Sequence, residues 1–210
     1  MRTRLMPVLI AAVLSLALAG CLVQTTIDAK GGGTLKAEMR GAKNTTLDAA
    51  KRGFQGPGVT ITKATMDADK HAVIEIAYKD FRTLSQLGQF NNVKFTMTDD
   101  DKAKTRTATA VVKATKPMTV SDEQLAYFGK DVTISVTAPG EVTSTNGTQK
   151  GKTVTWTTPL NTILGGTETS YTVTYKNSGK PLGDAPTPAP TPAAATPAAA
   201  AAATPQPKKK

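Results

Sequence analysis

Apolar residues recur at every second position in one segment after another, and that period confines most of this chain to half-buried β-strands. Leu35, Ala37 and Met39 alternate with Lys36 and Glu38, and Val93, Phe95 and Met97 with Lys94 and Thr96. Val132, Ile134 and Val136 alternate with Thr133 and Ser135, and Tyr171, Val173 and Tyr175 with Thr172 and Thr174. Further strands are expected over residues 23–27, 59–66, 72–78, 106–112, 142–145 and 153–157. Polar links at 67–70 and 99–102 and a Gly31-Gly32-Gly33 turn fit an antiparallel order. Asn146-Gly147 is a strong hairpin signal because both residues tolerate positive φ.

Three short helices are expected between the strands. Thr45 with Asp48, Thr83 with Gln86 and Ser121 with Gln124 have capping-box spacing, in which a hydroxyl accepts from backbone N–H groups at the helix start. Gly53, Gly88 and Gly129 stand where left-handed ends are due. Ala49 and Ala50, Leu84 and Leu87, and Leu125 and Phe128 supply apolar faces to cover a one-sided sheet. The fold class is therefore α+β, an antiparallel β-sheet with short helices packed on one face, preferred to a pure sandwich.

One cysteine and one histidine among 210 residues narrow the chemistry. Zinc and copper sites need three or four soft ligands, and a structural disulfide needs two cysteines. No metal site and no cofactor is expected.

The single cysteine closes the most specific segment. Arg2 and Arg4 form a charged start, residues 5–18 an apolar stretch of signal-peptide length, and Leu18-Ala19-Gly20-Cys21 follows. This run resembles the bacterial lipobox, which implies that the Cys21 thiol receives diacylglycerol and that residues 1–20 are cleaved away as a lipoprotein signal peptide. The bland alternative is an uncleaved signal anchor. Two or more acyl chains hold a protein stably at a membrane, each buried methylene contributing about 0.8 kcal/mol. Leu22 departs from the aspartate of the inner-membrane retention pattern, so the outer membrane is expected where the organism has two membranes.

From residue 185 to 207 every residue is Ala, Pro or Thr apart from Gln206, and Lys208, Lys209 and Lys210 follow. Prolines at this density, with nothing to bury, predict a disordered or polyproline-like tail over 184–210. Its three lysines are candidate electrostatic contacts to acidic wall polymer or phospholipid. Residues 22–183 hold 21 basic and 15 acidic side chains spread along the chain, a diffuse positive field that favours anionic partners. Nucleic acid is not expected, for no recognition signature accompanies the charge.

Ala138-Pro139-Gly140-Glu141-Val142, then Asn146-Gly147, then Gly151-Lys152-Thr153-Val154-Thr155-Trp156, is similar to a stretch of the LppM-type lipoprotein domain. The lipobox and the Phe81-Arg82-Thr83-Leu84-Ser85-Gln86-Leu87 segment stand in the expected order. The resemblance implies an α+β envelope domain over about residues 21–178, without established catalysis, thought to contact envelope lipids or glycolipids. Many members continue into a transmembrane helix, whereas this chain continues into the Ala/Pro tail.

Trp156, with Tyr171 and Tyr175 across the sheet, is the candidate lining of a lipid-binding cleft, against core packing as the plainer role. His71 shares an outward face with Val73 and Glu75, and no nucleophile motif accompanies it. Asp99, Asp100 and Asp101 lack the alternating ligands of a calcium loop. The expected function is a non-enzymatic, lipid-anchored envelope lipoprotein whose domain, residues 21–183, binds envelope lipid, glycolipid or an envelope protein. The alternative is a structural subunit of a surface-layer or outer-membrane complex. A cell-wall hydrolase using Asp67 and Asp69 ranks last, since such a pair must face across a cleft and these occupy a turn.

Overall fold

Alternation fixes which face of a strand is buried but leaves its neighbours open, and here the strands divide between two sheets. The computed structural model describes residues 22–113, 121–178, 181–184 and 187. Among them the strands are β1 (Leu22–Ile27), β2 (Gly33–Arg40), β3 (Val59–Met66), β4 (His71–Tyr78), β5 (Val93–Asp100), β6 (Thr105–Val112), β7 (Asp131–Thr137), β8 (Val142–Thr145), β9 (Thr148–Lys150), β10 (Thr153–Pro159) and β11 (Thr169–Lys176). One sheet runs β3-β4-β2-β1-β7-β10-β9 and the other β5-β6-β11-β8. Pairing is antiparallel except between β1 and β7, where Leu22 stands opposite Thr133 and Thr26 opposite Thr137 in parallel register. The long excursion of chain between those two strands removes any need for a tight turn.

The inner face of the large sheet carries Val23, Leu35, Ala37, Ile74, Ile76, Val132, Val136 and Val154, all buried. Its β1-β7-β10 half faces Ala108, Val112, Tyr171 and Val173 of the small sheet across a shared core. Its β2-β4-β3 half is covered by helix α1 (Leu47–Arg52), which packs on β3 and β4, and the 3-10 turn Phe81–Gln86, followed by a second, Gly88–Phe90, packs between β4 and β5 of the small sheet. Phe54 and Phe90 meet there edge to face with centroids 5.8 Å apart. The α+β reading therefore holds, with helices covering one face of the sheet. Thr25 is the polar intruder on that face, and its hydroxyl is satisfied by the Thr34 carbonyl at 2.9 Å and the Tyr78 hydroxyl at 2.8 Å.

Helix starts differ from expectation at two of three places. Thr46, one residue after Thr45, caps α1 by accepting from the Ala49 N–H, and Gly53 ends it at φ −63°, inside the right-handed region. Asp80 caps the first 3-10 turn through the Arg82 N–H, which leaves Thr83 buried within the turn and donating to the Asp80 carbonyl. A carboxylate at the preceding position outcompetes the hydroxyl, because it also holds Arg82 in a fork with a closest approach of 2.6 Å. Helix α2 (Asp122–Phe128) has the full Ser121/Gln124 capping box and ends on Gly129 at φ 98°. Its Tyr127 hydroxyl donates to the Gly41 carbonyl, tying it to the end of β2.

Asn146-Gly147 does not close a hairpin. It carries the chain from β8 in the small sheet to β9 in the large one, and neither residue has positive φ. The hairpin lies a few residues on, between β9 and β10, with Gly151 at φ 62°. Helix α3 (Leu160–Leu164) follows β10 and returns the chain to β11.

At the end of the core remote from Leu22, Arg106 is fully buried. Its guanidinium grips both Asp99 oxygens, at 2.6 and 2.9 Å, and donates to the Ala29 carbonyl. Asp99 also accepts from the Leu182 N–H at 3.2 Å, and Arg82 donates to the Gly183 and Asp184 carbonyls. Two arginine–carboxylate pairs thus pin residues 182–184 beside the β1–β2 turn.

Candidate functional site

Where the two sheets face each other they do not fill the space between them. A cavity of about 50 Å³ remains, walled by Val23, Leu35, Ala110, Ile134, Ile163 and Val173 among others. Its walls are almost wholly apolar. The Thr25 hydroxyl, on the same wall, is spent on Thr34 and Tyr78. Such a space stays dry and accepts apolar matter, because a water inside would find no partners. Ala108 and Ala110 make room on β6, where the alternation would equally admit valine or isoleucine. Two alanines on an inward strand face were the available sequence signal, and volume is not visible in a period-two pattern.

Trp156 and Tyr171 close one side of the cavity, ring against ring at 5.8 Å and 64°. Both polar ends are hydrogen-bonded. The indole Nε1 donates to Asn146 Oδ1 at 2.8 Å, and the Tyr171 hydroxyl donates to Thr158 Oγ1 at 3.1 Å. Asn146 also accepts from the Thr172 N–H at 2.9 Å and donates to the Ser170 carbonyl at 2.7 Å. It therefore stitches β10 of one sheet to β11 of the other at a seam where no backbone pairing joins them. A Cβ on Gly147 would come within 2.5 Å of the indole nitrogen, so the small residue after Asn146 is what lets the ring lie there. Burial pushes the Tyr171 phenol above its ordinary range, and the bond to Thr158 offsets part of the rise.

Outside the seam lies an open polar groove whose lining includes Asn146, Thr155, Thr157, Thr158 and Ser170, with no charged side chain among the described residues that form it. Trp156 and Tyr171 line both spaces. They are the partition between an apolar chamber and a polar surface.

Tyr175 is not part of this partition. It lies farther along β11, opposite Arg106 in register and away from the cavity walls. Burial pushes its phenol up to about 12, the Arg106 guanidinium pulling the other way. Cys21 and Lys208, Lys209 and Lys210 fall outside the described residues. Asp67 sits in the β3–β4 turn, where its carboxylate accepts from the His71 N–H, and Asp100 accepts from Lys102 and Ala103 N–H groups in the next hairpin. These carboxylates build turns. Among the described residues no cluster of three or more His, Cys, Asp or Glu is placed to hold a metal ion, and no helix is long and apolar enough to cross a membrane.

Two sheets and a short helical roof around a small apolar cavity, bordered on one side by a hydrogen-bonded aromatic pair, define an α+β module. The family model described as the LppM domain matches residues 23–175, and the chain belongs to that family. Membership suggests a lipoprotein with a membrane-associated place in the cell envelope. No curated protein matches the chain.

Proposed function

We propose that this protein is anchored to the cell envelope through acyl chains on Cys21, and that without catalysing a reaction it takes an acyl chain of an envelope lipid or glycolipid between its two sheets. The observation that carries the reading is the dry chamber behind Trp156 and Tyr171. At about 50 Å³ the cavity is about a third of the roughly 150 Å³ that holds a single benzene, too small for a whole acyl chain. A whole acyl chain therefore enters only as the sheets part, and no backbone ladder joins β10 to β11 at the seam beside the chamber. An outer-membrane home is proposed where two membranes exist, from Leu22 after the lipidated cysteine.

The pinned residues 182–184 support a separate role for the tail. They lie by the β1–β2 turn, a strand of six residues, or about 20 Å, from Leu22. Residues 182–184 thus stand at the end of the domain opposite Leu22, and acidic wall polymer or an envelope protein is the partner proposed for Lys208, Lys209 and Lys210.

Native mass spectrometry of protein extracted from its own envelope tests the reading. The expected spectrum shows triacylated or diacylated Cys21 and one co-purifying lipid, and Cys21→Ser moves the protein into the soluble fraction. A chain that begins at Met1, or a lipid-free spectrum together with no uptake from vesicles, refutes it.

A further inference from the structure

Within the lipid-binding reading, we infer that the Trp156–Tyr171 seam is the portal through which an acyl chain passes, and that it draws the lipid from the same membrane that carries the Cys21 anchor. Three observations converge on it. The two rings are shared by the apolar chamber and the polar groove, so displacing them joins the two spaces directly. The strands on either side, β10 and β11, belong to different sheets, so opening here breaks no backbone ladder. Among the described residues, Trp156 Nε1–Asn146, Tyr171–Thr158, the two Asn146 side-chain bonds to β11 and a long Asn146 N–H bond to the Thr172 carbonyl at 3.4 Å span it, and the chain crosses it once, at Asn146-Gly147.

The third observation is register. Thr157 of β10 stands opposite Thr133, and Thr133 opposite Leu22, the residue that follows the lipidated cysteine. The portal is therefore level with Leu22 and two strand spacings from it, about 10 Å. A protein held by Cys21 presents this seam, and not its Arg106 end, to the bilayer. The hydroxyl- and amide-lined groove outside is where the polar head of the lipid stays while its chain passes the indole.

Trp156 is the only tryptophan, so its emission reports the portal alone. The acylated full chain is placed on phosphatidylcholine vesicles whose lipids carry bromines on the acyl chains, and bound lipid is counted in parallel by native mass spectrometry. Loading through the seam quenches Trp156 in step with lipid occupancy. Tyr171→Phe and Thr158→Val each remove the same latch while keeping shape, and each speeds loading about five-fold, the double variant no more than either single one. Cys21→Ser protein, freed from the vesicle, loads at least ten-fold more slowly. Full lipid occupancy with unquenched Trp156, or loading rates indifferent to both latch variants, would place the opening elsewhere and overturn the inference while leaving lipid binding intact. Equal loading with and without the anchor would overturn the same-membrane source. No bound lipid by mass spectrometry would remove the parent reading as well.

Discussion

Replacing Asp99 by alanine strands a cation in the core. The Arg106 side chain has no exposure and Asp99 retains 17% of its own, so the guanidinium has no route to water when its partner goes. Two charge-assisted bonds at 2.6 and 2.9 Å are lost, and with them the acceptor for the Leu182 N–H. Breaking a buried pair by removing one partner costs about 3–5 kcal/mol, most of it the uncompensated charge. With a urea slope of about 2 kcal/mol per molar, the midpoint falls by about 2 M. The pair itself need not stabilise relative to well-packed apolar residues, so Asp99→Leu with Arg106→Met recovers most of the loss. The pH dependence has a definite sign. Arg106 first, and the Leu182 N–H after burial's opposing push, hold the Asp99 carboxyl below its ordinary value. Its contribution is complete above the unfolded carboxylate range near about pH 4 and is lost as pH falls through the lower, folded value. Urea titrations of wild type and Asp99→Ala at pH 7 and pH 3 check this, with the gap narrowing in acid. A loss under about 1 kcal/mol at pH 7, or a double variant as weak as the single one, would refute a buried, uncompensated Arg106 as the source.

Asn146→Ala forfeits three hydrogen bonds across the seam and costs about 3 kcal/mol, read as a urea midpoint shift with a red shift of Trp156 emission as the indole N–H meets water. Gln89 leaves its Nε2 donor buried without a partner, so Gln89→Met raises stability by about 1 kcal/mol in the same assay. Ala110→Val adds two methyl-sized groups to the chamber wall; it stabilises the apo protein by up to about 1.5 kcal/mol and lowers lipid occupancy in native mass spectrometry.

The strands were legible because period two survives wherever one face is buried. Asp131–Thr137 shows why, for Val132 and Val136 face the core while Thr133 and Ser135 take the outer face. Thr148–Lys150 left no such trace, since all three residues are exposed and the strand exists only through its ladder to β10. Leu160–Leu164 was equally silent, because Pro159 precedes it with no side-chain cap and the helix is only five residues long. The division into two sheets was not legible at all, because alternation assigns a face and says nothing about which neighbour a strand finds.

Asn146-Gly147 shows how a local signal is overridden by a distant partner. In isolation the pair favours a two-residue turn with positive φ, a preference of the backbone alone. In the fold the Asn146 amide meets an indole N–H, a backbone N–H and a carbonyl, three bonds that a I′ turn in solution does not offer. Gly147 then serves by lacking a Cβ beside Trp156, with no left-handed backbone required. The two ends of the motif are thus one structure: the asparagine–glycine pair exists to seat the tryptophan, and the tryptophan to close the chamber. Substituting the glycine separates this from the turn reading. Gly147→Ala is tolerated by a backbone without positive φ, but against the indole it displaces the ring and costs about 1–3 kcal/mol. Unchanged Trp156 emission and stability in Gly147→Ala would show that the ring does not depend on the gap beside it.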